Sequence, residues 1–124
     1  MAMSQEDIQN EIAQAQQLQQ QLQNIVAQKQ QLEVTKKDTE RALEELKKLE
    51  KETPVYKNVG ENILIQVEDQ EKLIEDLEDE LESAEVRIKT MDKQEEKLRK
   101  KFQQIQQQLT AKLGGAQQGP MGGN

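Results

Sequence analysis

The fold turns on residues 55–67, which read Val55-Tyr56-Lys57-Asn58-Val59-Gly60-Glu61-Asn62-Ile63-Leu64-Ile65-Gln66-Val67. The stretch is dense in β-branched residues. Gly60, Glu61 and Asn62 supply turn chemistry, with a run of about five residues on each side. This pattern predicts a β-hairpin. A hairpin reverses the chain, so whatever precedes it can lie antiparallel to whatever follows.

Both flanks are helical. From Gln70 to Leu113, the residues Ile74, Leu77, Leu81, Ala84, Ile88, Met91, Glu95, Leu98, Phe102, Ile105, Leu109 and Lys112 recur in alternating steps of three and four. Only Glu95 and Lys112 interrupt an apolar seam, and a period sustained this long predicts coiled coil. From Gln5 to Glu52 the pattern is looser. Ile8, Ala15, Leu22, Lys29, Lys36 and Leu43 share one heptad position. Leu18, Ile25, Leu32, Thr39 and Leu46 share the other. Ser4, with Asp7 three residues on, predicts the start of the first helix. Pro54 is expected to stop it at about Glu52. Asp69 is expected to cap the second helix, and Gly114 and Gly115 to end it.

The expected fold is therefore mostly α: a long antiparallel two-helix coiled coil, with helices over 5–52 and 70–113 joined by one β-hairpin over 55–67. Residues 1–113 are expected to form a single domain, and the Gly-rich tail 114–124 to be disordered. Helices of about 45 residues reach about 65–70 Å at 1.5 Å per residue. Matching positions outward from the hairpin puts Leu46 near Ile74 and Leu77, and Ile8 near Leu109 and Leu113. Lys29 then falls within about a turn of Glu95. Two readings stand open: the two charges pair and pin the register, or each extends separately to solvent.

Composition narrows the function. The 124 residues include one Tyr, one Phe and no Trp, Cys or His, and the net charge is −7. Thiol and imidazole chemistry are excluded, and so are the usual zinc sites. No cofactor, metal or catalytic site is expected. Gly60 and the glycines from Gly114 do not form a phosphate-binding loop. The acidic balance argues against nucleic acid. The one basic cluster, Lys97, Arg99, Lys100 and Lys101, reads as a solvated helix face. No run approaches the ~20 apolar residues of a membrane span, and Met-Ala-Met-Ser-Gln-Glu at the start predicts no signal peptide. A cytoplasmic location is expected.

A lone hairpin is marginal in water. This one would display Val55, Tyr56, Val59, Ile63, Leu64 and Ile65 and leave both edges unpaired. Several copies joining edges into a barrel-like platform would resolve this. The alternative is a connector tucked onto the coiled-coil base. The helix ends far from the hairpin carry Ile8, Ile12, Leu18 and Leu22 on one side and Phe102, Ile105, Leu109 and Leu113 on the other. Ile12 and Val26 widen the apolar stripe there. Such surfaces mark binding sites, although the same residues could serve only to close the coil.

The run from Val55 to Gln66 resembles the hairpin of prefoldin beta-type subunits. Arg87 to Phe102, with Thr90-Met91-Asp92-Lys93-Gln94-Glu95 inside it, is similar to that family's second-helix signature. Gln16 to Leu32 fits its first helix. One hairpin rather than two resembles the beta class, and the tail resembles archaeal members. The resemblance implies an ATP-independent chaperone, a hexamer of two alpha-type and four beta-type subunits. In it the hairpins form a double β-barrel and the coiled-coil tips capture unfolded client proteins for a group II chaperonin. The tips would be the ends holding Ile8 to Leu22 and Phe102 to Leu113. Apart from the resemblance, a coiled-coil scaffold or tether without client binding remains the alternative.

Overall fold

Ser4 opens the first helix. Its Oγ accepts a hydrogen bond from the Asp7 N–H at 3.0 Å, and its carbonyl accepts one from the Ile8 N–H at 3.1 Å. The side-chain bond satisfies one of the donors that a helix start leaves without a partner. The computed structural model describes residues 4–117, the last four by their backbone alone. Helix α1 spans Gln5–Lys48, β1 Tyr56–Gly60, β2 Ile63–Gln66 and α2 Gln70–Gln117. Glu6 and Asp7 in the first turn of α1, and Lys47 and Lys48 in its last, suit the helix dipole.

Two helix ends differ from expectation. Helix α1 stops at Lys48, ahead of Glu52. The Leu49 N–H bonds to the Leu46 carbonyl three residues back, which tightens the last turn. A separate turn follows, closed by the Thr53 N–H on the Glu50 carbonyl at 3.0 Å. Pro54 bars Thr53 from helical geometry, but the chain has already left the helix. Helix α2 continues through Gly114 and Gly115 to Gln117. A helical glycine costs about 1 kcal/mol relative to alanine, which weakens a helix end without forbidding it. The rest of the predicted tail, 118–124, lies outside the described residues.

The strands pair antiparallel, Tyr56 with Gln66, Lys57 with Ile65, Asn58 with Leu64 and Gly60 with Ile63. Val59 is left without its own partner, so β1 carries a bulge. The Val67 N–H extends the ladder to the Val55 carbonyl at 2.8 Å. The two residues at the tip, Glu61 and Asn62, have φ of 36° and 71°. Positive φ at both positions is the requirement of a type I′ turn, whose twist matches that of the strands. Gly60 has φ of 141°, and a Cβ there would meet nothing within 4 Å. Backbone conformation, not space, therefore selects glycine. Beyond β2, Asp69 caps α2: its Oδ1 accepts from the Lys72 N–H at 3.0 Å.

The chain forms two compact units, and both helices contribute to each. The hairpin unit is Gln30–Lys89. The terminal unit is Met1–Lys29 with Thr90–Asn124. Within the hairpin unit, α1 and α2 run antiparallel. Lys36 pairs with Glu85 at 3.7 Å, Lys47 with Glu78 at 3.2 Å and Lys51 with Glu71 at 3.9 Å. Leu46 and Ile74 border one groove, as the matching of positions predicted. Its core holds Leu43, Ala84 and Thr39. The Thr39 hydroxyl is satisfied by the Thr35 carbonyl at 2.8 Å, so its burial leaves no polar group without a partner. The terminal unit buries Leu18, Leu22 and Ile105. Every predicted seam position of α2 from Ile74 to Leu109 is buried or half-buried, and Lys112 is exposed.

Candidate functional site

The hairpin is apolar and uncovered. Tyr56, Val59, Ile63, Leu64 and Ile65 are each between 51 and 61% exposed, and Val55 is half-buried. Pairing places Tyr56 and Leu64 on one face and Ile65 with Ile63 on the other. Both faces are therefore apolar. Moving a large aliphatic side chain from such exposure to full burial stabilises by roughly 1 kcal/mol. Four such side chains, together with Tyr56, stand exposed on one small sheet.

The terminal unit holds all eight residues predicted for the tips, and it divides them. Leu18, Leu22 and Ile105 are 6–8% exposed and close the seam. Ile8, Phe102 and Leu109 are half-buried. Ile12 and Leu113, at 40 and 42%, face solvent. The accessible apolar surface of this unit is thus carried by residues at the edges of the seam. Glu11 stands in line with Leu18 and Ile25, seven residues apart, and its Oε1 is buried without a hydrogen-bond partner. Sequence reasoning passed over it because the flanking seam positions Ile8 and Ala15 are apolar.

Lys29 and Glu95 pair. Lys29 Nζ lies 2.6 Å from Glu95 Oε1 and 2.7 Å from Asp92 Oδ1. Glu95 Oε2 accepts from Arg99 Nε at 2.9 Å and from its terminal nitrogen at 2.6 Å. The bonds to Asp92 and then Glu95 hold the Lys29 ammonium above the ordinary lysine value. The bonds from Lys29 and then Arg99 hold Glu95 below the ordinary carboxylate value. Asp92 and Arg99 were not foreseen as members. Their spacing, three before and four after Glu95, puts them on its face of the helix and was the available signal.

Charge is uneven between the units. Residues 30–89 contain 18 acidic and ten basic side chains, and the rest of the chain six and seven. Val34 and Val86, 56 and 58% exposed, are single apolar residues on the outer helix faces; such residues are common on soluble proteins. Among the described residues, no group of three His, Cys, Asp or Glu could hold a metal ion, and no helix is long and apolar enough to cross a membrane.

A model of the prefoldin subunit family matches residues 9–116. The prefoldin beta subunit of Archaeoglobus fulgidus is 54% identical over 102 residues, covering 82% of this chain and 86% of the relative. That of Methanocella arvoryzae is 50% identical over 117 residues, covering 94 and 91%. The crystal structure of the prefoldin beta subunit from Thermococcus strain KS-1 superposes with a TM-score of 0.73 at 30% identity, covering 90% of this chain and 96% of that one. The chain belongs to the prefoldin subunit family and resembles its archaeal beta subunits.

Proposed function

We propose that the chain is a subunit of an ATP-independent holdase chaperone. It captures non-native polypeptides with the apolar edge of its terminal unit and passes them to a group II chaperonin. It assembles through its hairpin with alpha-type subunits, two alpha and four beta, and acts in the cytoplasm. The observation that carries this reading is the cluster of accessible apolar side chains in the terminal unit: Ile8, Ile12, Phe102, Leu109 and Leu113. None of them bears chemistry, so the cluster suits binding rather than catalysis. Weak apolar contacts on several arms of one assembly sum to useful avidity, because each later contact forms at high effective concentration. Each remains weak enough to release a client without nucleotide hydrolysis.

Trimming residues 1–22 and 103–124 from the subunit, within an assembly with alpha-type partners, tests this. The assembly should persist, and suppression of client aggregation should be lost. Full suppression by the trimmed assembly refutes capture at the terminal unit. A second reading is a coiled-coil scaffold without clients. The burial of Leu18, Leu22 and Ile105 favours it, since seam closure is all a scaffold requires. It predicts no suppression by the full-length chain either.

A further inference from the structure

The terminal unit carries a groove of 540 Å³ that lies off the edge cluster and opens to solvent. Its apolar floor is Ile25 of α1 and Leu98 of α2, both half-buried. Lys97, Lys100 and Lys101 stand along its rim and are exposed. The remaining lining side chains, Gln94 and Gln104, are neutral, so no carboxylate faces the groove.

The rim lysines differ from those that brace the coil. Lys29, Lys36 and Lys47 of α1, and Lys51 in the turn after it, each hold a carboxylate of α2. Among the described residues, Lys97, Lys100 and Lys101 hold none. Of the neighbouring acidic residues, Asp92 and Glu95 hold Lys29 of α1, and Glu95 also binds Arg99; Glu96 is exposed and does not line the groove. One side of this helix segment thus carries the ion cluster with Lys29, and the other presents three cations without an ion-pair partner around an apolar floor. The chain's own Gly-rich tail has no acidic side chain to supply the complement.

We infer that this groove binds acidic amphipathic peptide segments, seating an apolar side chain on Ile25 and Leu98 while flanking carboxylates meet Lys97, Lys100 and Lys101. The inference rests on the capture reading above and adds a class of client segment to it. Apolar contact alone would treat all hydrophobic segments alike. The lysine rim selects among them by charge, and like charge on the ligand is penalised where opposite charge is rewarded. Three cations on so short a rim are too few for a nucleic-acid track, which needs a longer run of phosphate contacts.

Two dye-labelled peptides with one shared apolar core, flanked by Glu in one and by Lys in the other, test it by fluorescence anisotropy with the full chain. The Glu-flanked peptide should bind about tenfold more tightly, since each exposed charge pair contributes little and three act together. High salt should erase the difference. Lys97→Gln with Lys101→Gln should erase it too, whereas Lys93→Gln, outside the groove, should not. Both positions are exposed, so folding is unaffected, and circular dichroism verifies this. Equal binding of the two peptides, in a chain that still suppresses aggregation, overturns the groove's selectivity and leaves capture standing. Loss of suppression by the unmodified chain overturns capture itself. Tighter binding of a single-stranded oligonucleotide than of the acidic peptide would assign the groove to nucleic acid and also overturn the inference.

Discussion

Lys29 Nζ lies 2.6 Å from Glu95 Oε1 and 2.7 Å from Asp92 Oδ1, so one cation of α1 is held between two carboxylates of α2. Both Lys29 and Glu95 occupy seam positions where leucine would pack. Any slip of one helix past the other separates them and leaves each partly covered charge alone. The cluster therefore penalises alternative registers more than it stabilises the chosen one. Lys29→Glu and Glu95→Lys are each expected to lower the melting temperature, and the double exchange to recover most of the loss. Thermal melts by circular dichroism check this, and additive losses in the double variant would refute the pairing.

The same cluster makes stability depend on pH, with a definite sign. Glu95 titrates below its ordinary value of 4.5. Its contribution is therefore complete above 4.5 and disappears as pH falls through its depressed value. Lys29 titrates above its ordinary value of 10.5. Its contribution is complete below 10.5 and disappears as pH rises through its raised value. The stability gap between the parent chain and Glu95→Gln should be flat between these limits and should shrink below pH 4.5. Urea melts across pH would show it, and a gap that widens in acid would contradict it.

At the hairpin tip, Asn62 sits at φ 71° and Gly60 at φ 141°. Asn62→Gly removes the cost of left-handed geometry and should stabilise by a few tenths of a kcal/mol, less the added freedom of the unfolded chain. Gly60→Ala should destabilise the hairpin by about 1 kcal/mol or more, although there is room for the methyl group. Hydrogen exchange at Val67, whose N–H closes the ladder, reports both changes.

Glu11 Oε1 is buried without a partner at a seam position. Glu11→Leu should stabilise the chain by about 1 kcal/mol, by removing a polar group left unsatisfied and adding apolar burial. A fall in melting temperature would mean that the carboxylate has a role beyond packing.

The hairpin and the α2 seam were legible because each rests on a local period, two in one case and three-and-a-half in the other. The Lys29–Glu95 pair was legible because an antiparallel hairpin fixes which residues stand opposite. Asp92 and Arg99 were not, since their membership depends on side chains leaning toward one flank of the helix. The end of α1 was misjudged because Pro54 marks where a helix cannot continue, whereas residues 49–53 had room to turn first. The eight tip residues illustrate a deeper limit. A heptad gives the angle of a residue around its helix, and Leu18, Leu22 and Ile105 have angles that bury them. Ile12 and Leu113 lie a step off the seam, and that step separates a closing residue from an accessible one. The groove beside Leu98 was hidden because the cluster of basic residues looked the same whether its lysines were paired or free.

The proposed assembly requires partner subunits to cover the exposed hairpin. Native mass spectrometry of the full chain, with and without an alpha-type subunit, tests it most directly, alongside Ile63→Lys with Ile65→Lys. The parent chain should appear in multi-subunit assemblies, and the double variant should remain helical but monomeric. A parent chain that stays a stable monomer under both conditions would contradict the account.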